Sequence, residues 1–206
     1  MIISILAALI SVVNPLGAIP MFLAMTPDYS KAERNSTALK TSIYFVLILS
    51  IFFLAGSYIL GFFGVSINAV RIAGGIIILM SGFALLNGKS DKEKSLEQEA
   101  TTEAKEREDI SFAPMAMPML SGPGSISLLI GFHSEYPDWT QRLVILGTIL
   151  ATGFIVFSIL RFSPIFIKLI GKTGLNSISR IMGFLVMSIG IQYIITGIVN
   201  LVETVS

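Results

Sequence analysis

The sequence contains one pattern twice, and each copy interrupts a long apolar stretch with proline and glycine. The first interruption is Asn14-Pro15-Leu16-Gly17 and the second is Ser121-Gly122-Pro123-Gly124. Two further landmarks follow each interruption in the same order, all at offsets of 108 to 110 residues: Pro27-Asp28 recurs as Pro137-Asp138, and Arg71-Ile72 recurs as Arg180-Ile181. Three matches in order at a nearly constant offset indicate a duplicated unit. Membrane repeats with matching helix interruptions are typical of secondary transporters and of their central binding site.

The apolar content of the chain fixes its class. Of 206 residues, 53% are hydrophobic and only 13% are charged, which is too little charge to cover a soluble domain. A helix needs about 20 apolar residues to cross a bilayer. Six stretches meet this length, and we predict that each is a membrane span: Ile2–Met25, Leu39–Phe62, Ile67–Leu86, Ile110–Phe132, Leu143–Ile167 and Ile178–Leu201.

The predicted fold is therefore all-α, a polytopic membrane protein with six transmembrane helices as two inverted three-helix repeats. Residues 1–88 form the first repeat and 110–206 the second, and helices 1 and 4 are discontinuous. An odd number of spans per repeat makes the second copy enter the membrane from the opposite side. Residues 89–109 are a charged cytoplasmic linker of mixed sign, either a solvated helix or a disordered segment.

Lysine and arginine are distributed unevenly between the two sides of this topology. One side carries Arg71 and Arg142, whereas the other carries most of the remaining basic residues. The positive-inside rule places the richer side in the cytoplasm, with both termini outside a multi-pass cell (plasma or inner) membrane protein. Arg161 remains within the fifth span.

Because no basic residue precedes Ile2–Met25 and Pro15 interrupts it, we expect a retained span rather than a signal peptide.

The two interruptions predict a binding site near the middle of the membrane. The half-helices ending there present carbonyl groups, and those beginning at Gly17 and Ser125 present free N–H groups. Two donor ends and two acceptor ends complement a zwitterion, and the small residues leave room only for a small one, such as glycine, alanine or serine. The predicted substrate-binding residues are Asn14, Pro15, Gly17, Ala18, Ser121, Gly122, Pro123, Gly124, Ser125 and Ser127. The alternative interpretation is that proline kinks and small residues only let the helices pack.

Other chemistry is poorly supported by the sequence. The chain has no cysteine, and every Asp and Glu lies outside the predicted spans, which argues against a carboxylate proton relay. Unwound carbonyls and serine hydroxyls could hold sodium, so the coupling ion, sodium or proton, stays open. We expect no catalytic site, no metal site and no cofactor. The expected partners are a small neutral amino acid and the lipid bilayer, not nucleic acid, and the oligomeric state is left open.

At the interruptions the chain resembles the MarC family of membrane proteins. The family's first-span pattern, NP-hydrophobic-G-x-x-P-x-F, matches residues Asn14 to Phe22, and its fourth-span pattern, a proline followed by GPG, matches Pro118 and Gly122-Pro123-Gly124. The resemblance extends over essentially the whole chain and implies six spans, outside termini and, for some members, transport of glycine and alanine.

The function that we expect is secondary transport of small neutral amino acids of the glycine and alanine class, by alternating access at a midplane site. An exporter of other small metabolites is the first alternative. A membrane channel is a second alternative from a different class, but it needs a continuous polar stripe along several helices, and here the polar residues cluster at midspan.

Overall fold

The structure, a computed structural model, describes residues 2–87 and 109–205, and these ranges fold into helices joined by short turns. Except for Asp109, the predicted linker lies outside the described residues. The helices are α1 (Ile2–Val13), α2 (Ile19–Met25), α3 (Lys31–Phe62), α4 (Ile67–Asn87), α5 (Ser111–Leu120), α6 (Pro123–Glu135), α7 (Trp139–Arg161) and α8 (Ser163–Val205).

Four of these helices, α3, α4, α7 and α8, are long and apolar enough to cross a membrane. The pair α5 and α6 is bent by 65° at its break and makes a fifth candidate span. Helix α1 is apolar but has only 12 residues, so it is too short to cross alone. The prediction of an all-helical, multi-pass membrane protein is confirmed at four to five spans.

The last two predicted spans differ from the structure in their bounds. The fifth ends at Arg161 instead of Ile167, and α8 begins at Ser163 instead of Ile178. Helix α8 is interrupted once, at Gly171, whose φ of +72° lies in the region that favours glycine. The predicted start at Ile178 lies in the part of α8 that follows this break. Apolar patterning locates the stretch that suits lipid, whereas this part of the helix also includes the more polar residues just before Ile178.

Helices α4 and α8 pack antiparallel through glycines that face each other. Gly75 lies opposite Gly190, and Gly82 lies opposite Gly183, seven residues further along each helix. A Cβ on any of these four glycines would lie 2.7 to 2.8 Å from the carbonyl oxygen of its partner. Small residues at such an interface allow close backbone approach, which is how helices associate where lipid removes most of the hydrophobic driving force.

The two ends of the bundle are named here by their connections. The linker side is the end at which Asn87 and Asp109 lie, and the loop side carries the turns at residues 63–66 and 136–138. On the linker side Lys40 Nζ lies 2.9 Å from Asp109 Oδ2, which ties α3 to the start of α5. Burial raises the pKa of Asp109, but hydrogen bonds donated by Ser111 and Lys40 outweigh it, so the pKa is lowered.

Candidate functional site

The first interruption is a closed turn between α1 and α2. Asn14 has a φ of +45°, and the N–H groups of Gly17, Ala18 and Ile19 donate to the carbonyls of Asn14, Pro15 and Leu16 at 3.0, 3.3 and 3.2 Å. Helix α2 therefore begins at Ile19, two residues after the predicted start. The prediction of a donor end at Gly17 is wrong, because the N–H group is already bonded within the turn.

The second interruption is an open helix start between α5 and α6. Gly122 is extended, with φ −73° and ψ 170°, and α6 begins at Pro123, two residues before the predicted start at Ser125. Proline suits this first helical position because its missing N–H would have no acceptor. The N–H groups of Gly124 and Ser125 lie in the first turn, where a helix offers no intrahelical acceptor. Donor groups are thus available at this interruption.

Helix α5 is irregular, whereas the sequence predicts an ordinary half-helix that ends at the break. Ala113 and Met117 are extended, and each precedes a proline, Pro114 or Pro118. A residue before proline is disfavoured in the helical region. The segment is therefore a distorted π-helix. At its end the Ser121 N–H donates to the carbonyl of Ala116, five residues back, over 2.8 Å.

Both interruptions line one cavity of about 770 Å³, a volume in the range of small-molecule sites. Its deep end lies between α1 and the buried Gly124 and Ser125, and its other end reaches Asn87 and Arg180 on the linker side, where both residues are exposed. Beyond the interruptions the wall is formed by one face each of α4 and α8: Ile77, Ile78, Ser81, Ala84, Leu85, Asn87, Asn176, Ser179 and Arg180.

Seven of the ten predicted substrate-binding residues line this cavity, namely Asn14, Gly17, Ala18, Gly122, Pro123, Gly124 and Ser125. The other three do not. Pro15 is buried, and Ser121 is buried with no hydrogen-bond partner for its Oγ in the described ranges. Ser127 Oγ donates to the carbonyl of Val70 on α4, 3.0 Å away, so it joins two helices. Serines two residues apart point to different faces of a helix.

The polar residues of α8 were missed by the sequence analysis. Asn176, Ser179 and Arg180 all line the cavity, and their spacing of three and four residues places them on one helix face. That spacing was the available signal. Arg180 is the one charged residue among the lining residues, and it makes no ion pair with a residue in the described ranges. Within those ranges no three His, Asp or Glu residues group to hold a metal ion.

On the loop side the same helices are joined by hydrogen bonds. The Tyr193 hydroxyl on α8 lies 3.0 Å from the carbonyl oxygens of both Ser127 and Leu128 on α6. Arg71 on α4 is only 4% exposed, and its Nη2 donates to the carbonyl of Gly131 over 3.2 Å and to Glu135 over 3.5 Å. These contacts close the bundle on the side opposite to the cavity.

The family model described as MarC family integral membrane protein matches residues 1–202. A membrane protein of Buchnera aphidicola subsp. Schizaphis graminum is 40% identical over 191 residues, covering 93% of this chain and 88% of the relative. The inner membrane protein MarC of Salmonella paratyphi A is 35% identical over 208 residues, covering 97% of this chain and 94% of the relative. No solved structure matches the chain. On the family match and these identities, the chain belongs to the MarC family of integral membrane proteins.

Proposed function

We propose that this protein is a secondary transporter of small neutral amino acids, of the glycine and alanine class, that works by alternating access. The observation that carries the proposal is a single cavity that is lined by both interruptions and extends to the exposed Asn87 and Arg180 on the linker side. Alternating access needs a site that is open to one side while the other side is closed. The loop-side contacts of Arg71 and Tyr193 supply the closure.

The proposal includes two inverted three-helix repeats, with α1 and α2 together as the counterpart of α5 and α6. Two corresponding arginines support this pairing. Arg34 donates to the carbonyl of Thr26, which caps the end of α2, over 2.8 Å. Arg142 donates to the carbonyl of Tyr136, which caps the end of α6, over 3.3 Å. Each repeat thus holds the end of its interrupted span with an arginine from the start of the next long helix.

The proposed orientation places the linker side in the cytoplasm and both termini outside the inner membrane. Its support is the positive-inside rule applied to the described helices. The loop side carries Arg71 and Arg142, whereas the linker side carries Lys31, Arg34, Lys40, Arg161, Lys168, Lys172 and Arg180. In this orientation the cavity is open to the cytoplasm.

The chemistry of the cavity favours a substrate with a carboxylate. Its one charged lining residue is a cation, Arg180, and the lining residues include no Asp or Glu. The N–H groups of Gly124 and Ser125 suit a carboxylate at the N-terminal end of α6. The carbonyls of Val12 and Val13, in the last turn of α1, lack an intrahelical donor and suit an ammonium group. Together these groups match a zwitterionic amino acid.

The two alternatives rest on different observations. A volume of about 770 Å³ exceeds what glycine requires, which keeps an exporter of other small metabolites as the second candidate. A channel requires a path through both sides of the bundle, and the loop-side closure argues against it. We propose no catalytic role for the site.

The test is uptake of radiolabelled glycine and alanine into proteoliposomes, under a sodium gradient, a proton gradient and no gradient. We expect saturable uptake, and the gradient that accelerates it identifies the coupling ion. Uptake should be lost in Gly124→Val, because a Cβ there would lie 3.0 Å from Ile78 Cγ1 and 3.6 Å from Val12 Cγ1 at the deep end of the cavity.

The matched control is Gly147→Val on α7, where an added Cβ meets nothing within 4 Å. Folded protein that takes up neither amino acid under any condition would overturn the proposed substrate class and favour the exporter of other metabolites. Equal losses in Gly124→Val and Gly147→Val would show that the cavity between the interruptions is not the site of transport.

A further inference from the structure

Two corresponding arginines of the repeats stand in opposite environments. Arg71 on α4 is buried and bonded to α6, whereas Arg180 on α8 is exposed, lines the open cavity and forms no ion pair in the described ranges. Their sequence contexts, Arg71-Ile72 and Arg180-Ile181, mark the same position of each repeat. At the matching position of the two sequence patterns, one arginine is thus bonded to a neighbouring helix, and the other makes no ion pair in the described ranges.

In the bonded form, two acceptors on α6 hold the guanidinium group of Arg71. A guanidinium inside a membrane is costly unless it is hydrogen-bonded. The carbonyl of Gly131 and the carboxylate of Glu135 accept from Arg71 Nη2, while Arg71 Nε is buried without a partner in the described ranges. Gly131 leaves room for Tyr193 beside this contact, because a Cβ there would clash with the Tyr193 hydroxyl. Arg71 therefore joins α4 to the C-terminal part of α6, the second half of an interrupted span.

We propose that Arg71 and Arg180 are alternating locks of the transport pathway. Arg71 holds the loop side closed in the state described above. In the opposite state Arg180 closes the linker side by donating to carbonyls near the C-terminal end of α2, the counterpart of α6, which already packs against α8. The proposal rests on alternating access but not on the identity of the substrate.

Site-directed labelling tests the locks directly, because the natural chain has no cysteine. The linker-side reporter is Ser81→Cys, at an exposed position on the cavity wall, and the loop-side reporter is Ser127→Cys, at a position only 6% exposed. A membrane-impermeant maleimide is applied to vesicles of both orientations, and the labelling rate is measured. With both arginines intact we expect fast labelling of Ser81→Cys and slow labelling of Ser127→Cys.

The lock variants should shift these rates in opposite directions. Arg71→Gln should raise the rate at Ser127→Cys from the loop side about tenfold or more, the size expected for losing a charge-assisted hydrogen bond, and lower the rate at Ser81→Cys. Arg71→Lys should give a smaller change, because an ammonium group keeps the charge without the planar fork. Arg180→Gln should slow Ser127→Cys further. The double variant should return the ratio towards that of the parent, because each state then lacks one lock.

Thr196→Val is the control, since it removes only side-chain bonds to Gln192 within α8, and both rates should stay unchanged. Unchanged rates in folded Arg71→Gln, or a double variant that behaves like Arg71→Gln alone, would overturn the proposal. If Arg71→Gln does not fold, Tyr193→Phe decides by the same assay: faster labelling of Ser127→Cys supports the lock and unchanged labelling overturns it. The assay contains no amino acid, so a wrong substrate class leaves its outcome unaffected.

Discussion

The loop side and the linker side of this molecule both involve α4 and α8 but are held in different ways. On the loop side, side chains from α4 and α8 donate to carbonyls of α6. On the linker side, α4 and α8 form one wall of an open cavity. In lipid, apolar packing alone gives little preference for a closed bundle, so polar contacts to backbone oxygen can decide which side is closed. The two sides therefore differ in whether side chains of α4 and α8 are hydrogen-bonded to α6.

The largest effect is expected where the closed side has no spare volume. Gly131→Leu should lower the free energy of unfolding by about 3 kcal/mol, because its Cβ would occupy the place of the Tyr193 hydroxyl. Gly147→Leu, where nothing lies within 4 Å, should change it by less than about 0.5 kcal/mol. Unfolding in mixed detergent micelles measures both values. Equal losses would show that the loop side is no more tightly packed than the lipid-facing surface of α7.

The arginines that hold the ends of the interrupted spans should differ in strength. Arg34 reaches Thr26 O at 2.8 Å, with further bonds to Thr26 Oγ1 and Tyr29 O, whereas Arg142 makes one bond, to Tyr136 O. Arg34→Gln should therefore cost about 1.5 kcal/mol of stability and Arg142→Gln about 0.5 kcal/mol. The same unfolding assay checks the ratio. A larger loss of stability for Arg142→Gln would contradict the expectation that the end of α2 is held more strongly than the end of α6.

Removal of one hydroxyl should loosen the closed side without breaking the fold. Tyr193→Phe loses its contacts to the carbonyls of Ser127 and Leu128, for an expected loss of about 1 kcal/mol. Hydrogen exchange of α6 amides should rise with it, and Thr196→Val, which loses only side-chain bonds to Gln192 within its own helix, is the control. A rise in exchange confined to α8 would contradict the idea that Tyr193 holds α6.

The smallest effect concerns the ion pair at the linker side. The hydrogen bonds of Asp109 lower its pKa below the ordinary value of 3.8, so the charged form is favoured in the folded protein. This contribution is present above that value and is lost as pH falls through the lowered pKa. Asp109→Asn should therefore be slightly less stable than the parent at pH 7, with the difference vanishing at strongly acidic pH. A difference that grows on acidification would contradict this sign.

The positions of the interruptions could be predicted from sequence because proline and glycine act locally. The Asn14-Pro15-Leu16-Gly17 segment breaks the helix wherever it is placed, as does Gly122-Pro123-Gly124. The bonding within each interruption could not be predicted. The first closes into a turn that bonds its own N–H groups, whereas the second leaves the N–H groups of Gly124 and Ser125 available, although both interruptions contain proline and glycine.

The different roles of similar residues also could not be predicted from the sequence. Ser125 lines the cavity while Ser127 bonds to α4, and Arg71 is buried while Arg180 is exposed. Similar sequence patterns predict one role for both members of each pair, but in the structure the two members have different neighbours. Those neighbours depend on packing between helices that are far apart in the chain, which a local sequence pattern does not specify.

The glycine pairing of α4 and α8 has a consequence for how the protein is made. Helix α4 ends at residue 87, but its partner α8 begins only at Ser163. The residues between them must therefore be synthesised before the two helices can pack against each other. During that interval the faces of Gly75 and Gly82 are without their final contact. A membrane insertase that covers this glycine face of α4 would protect the nascent chain from non-native helix contacts. That cover would be needed until Gly183 and Gly190 have left the ribosome.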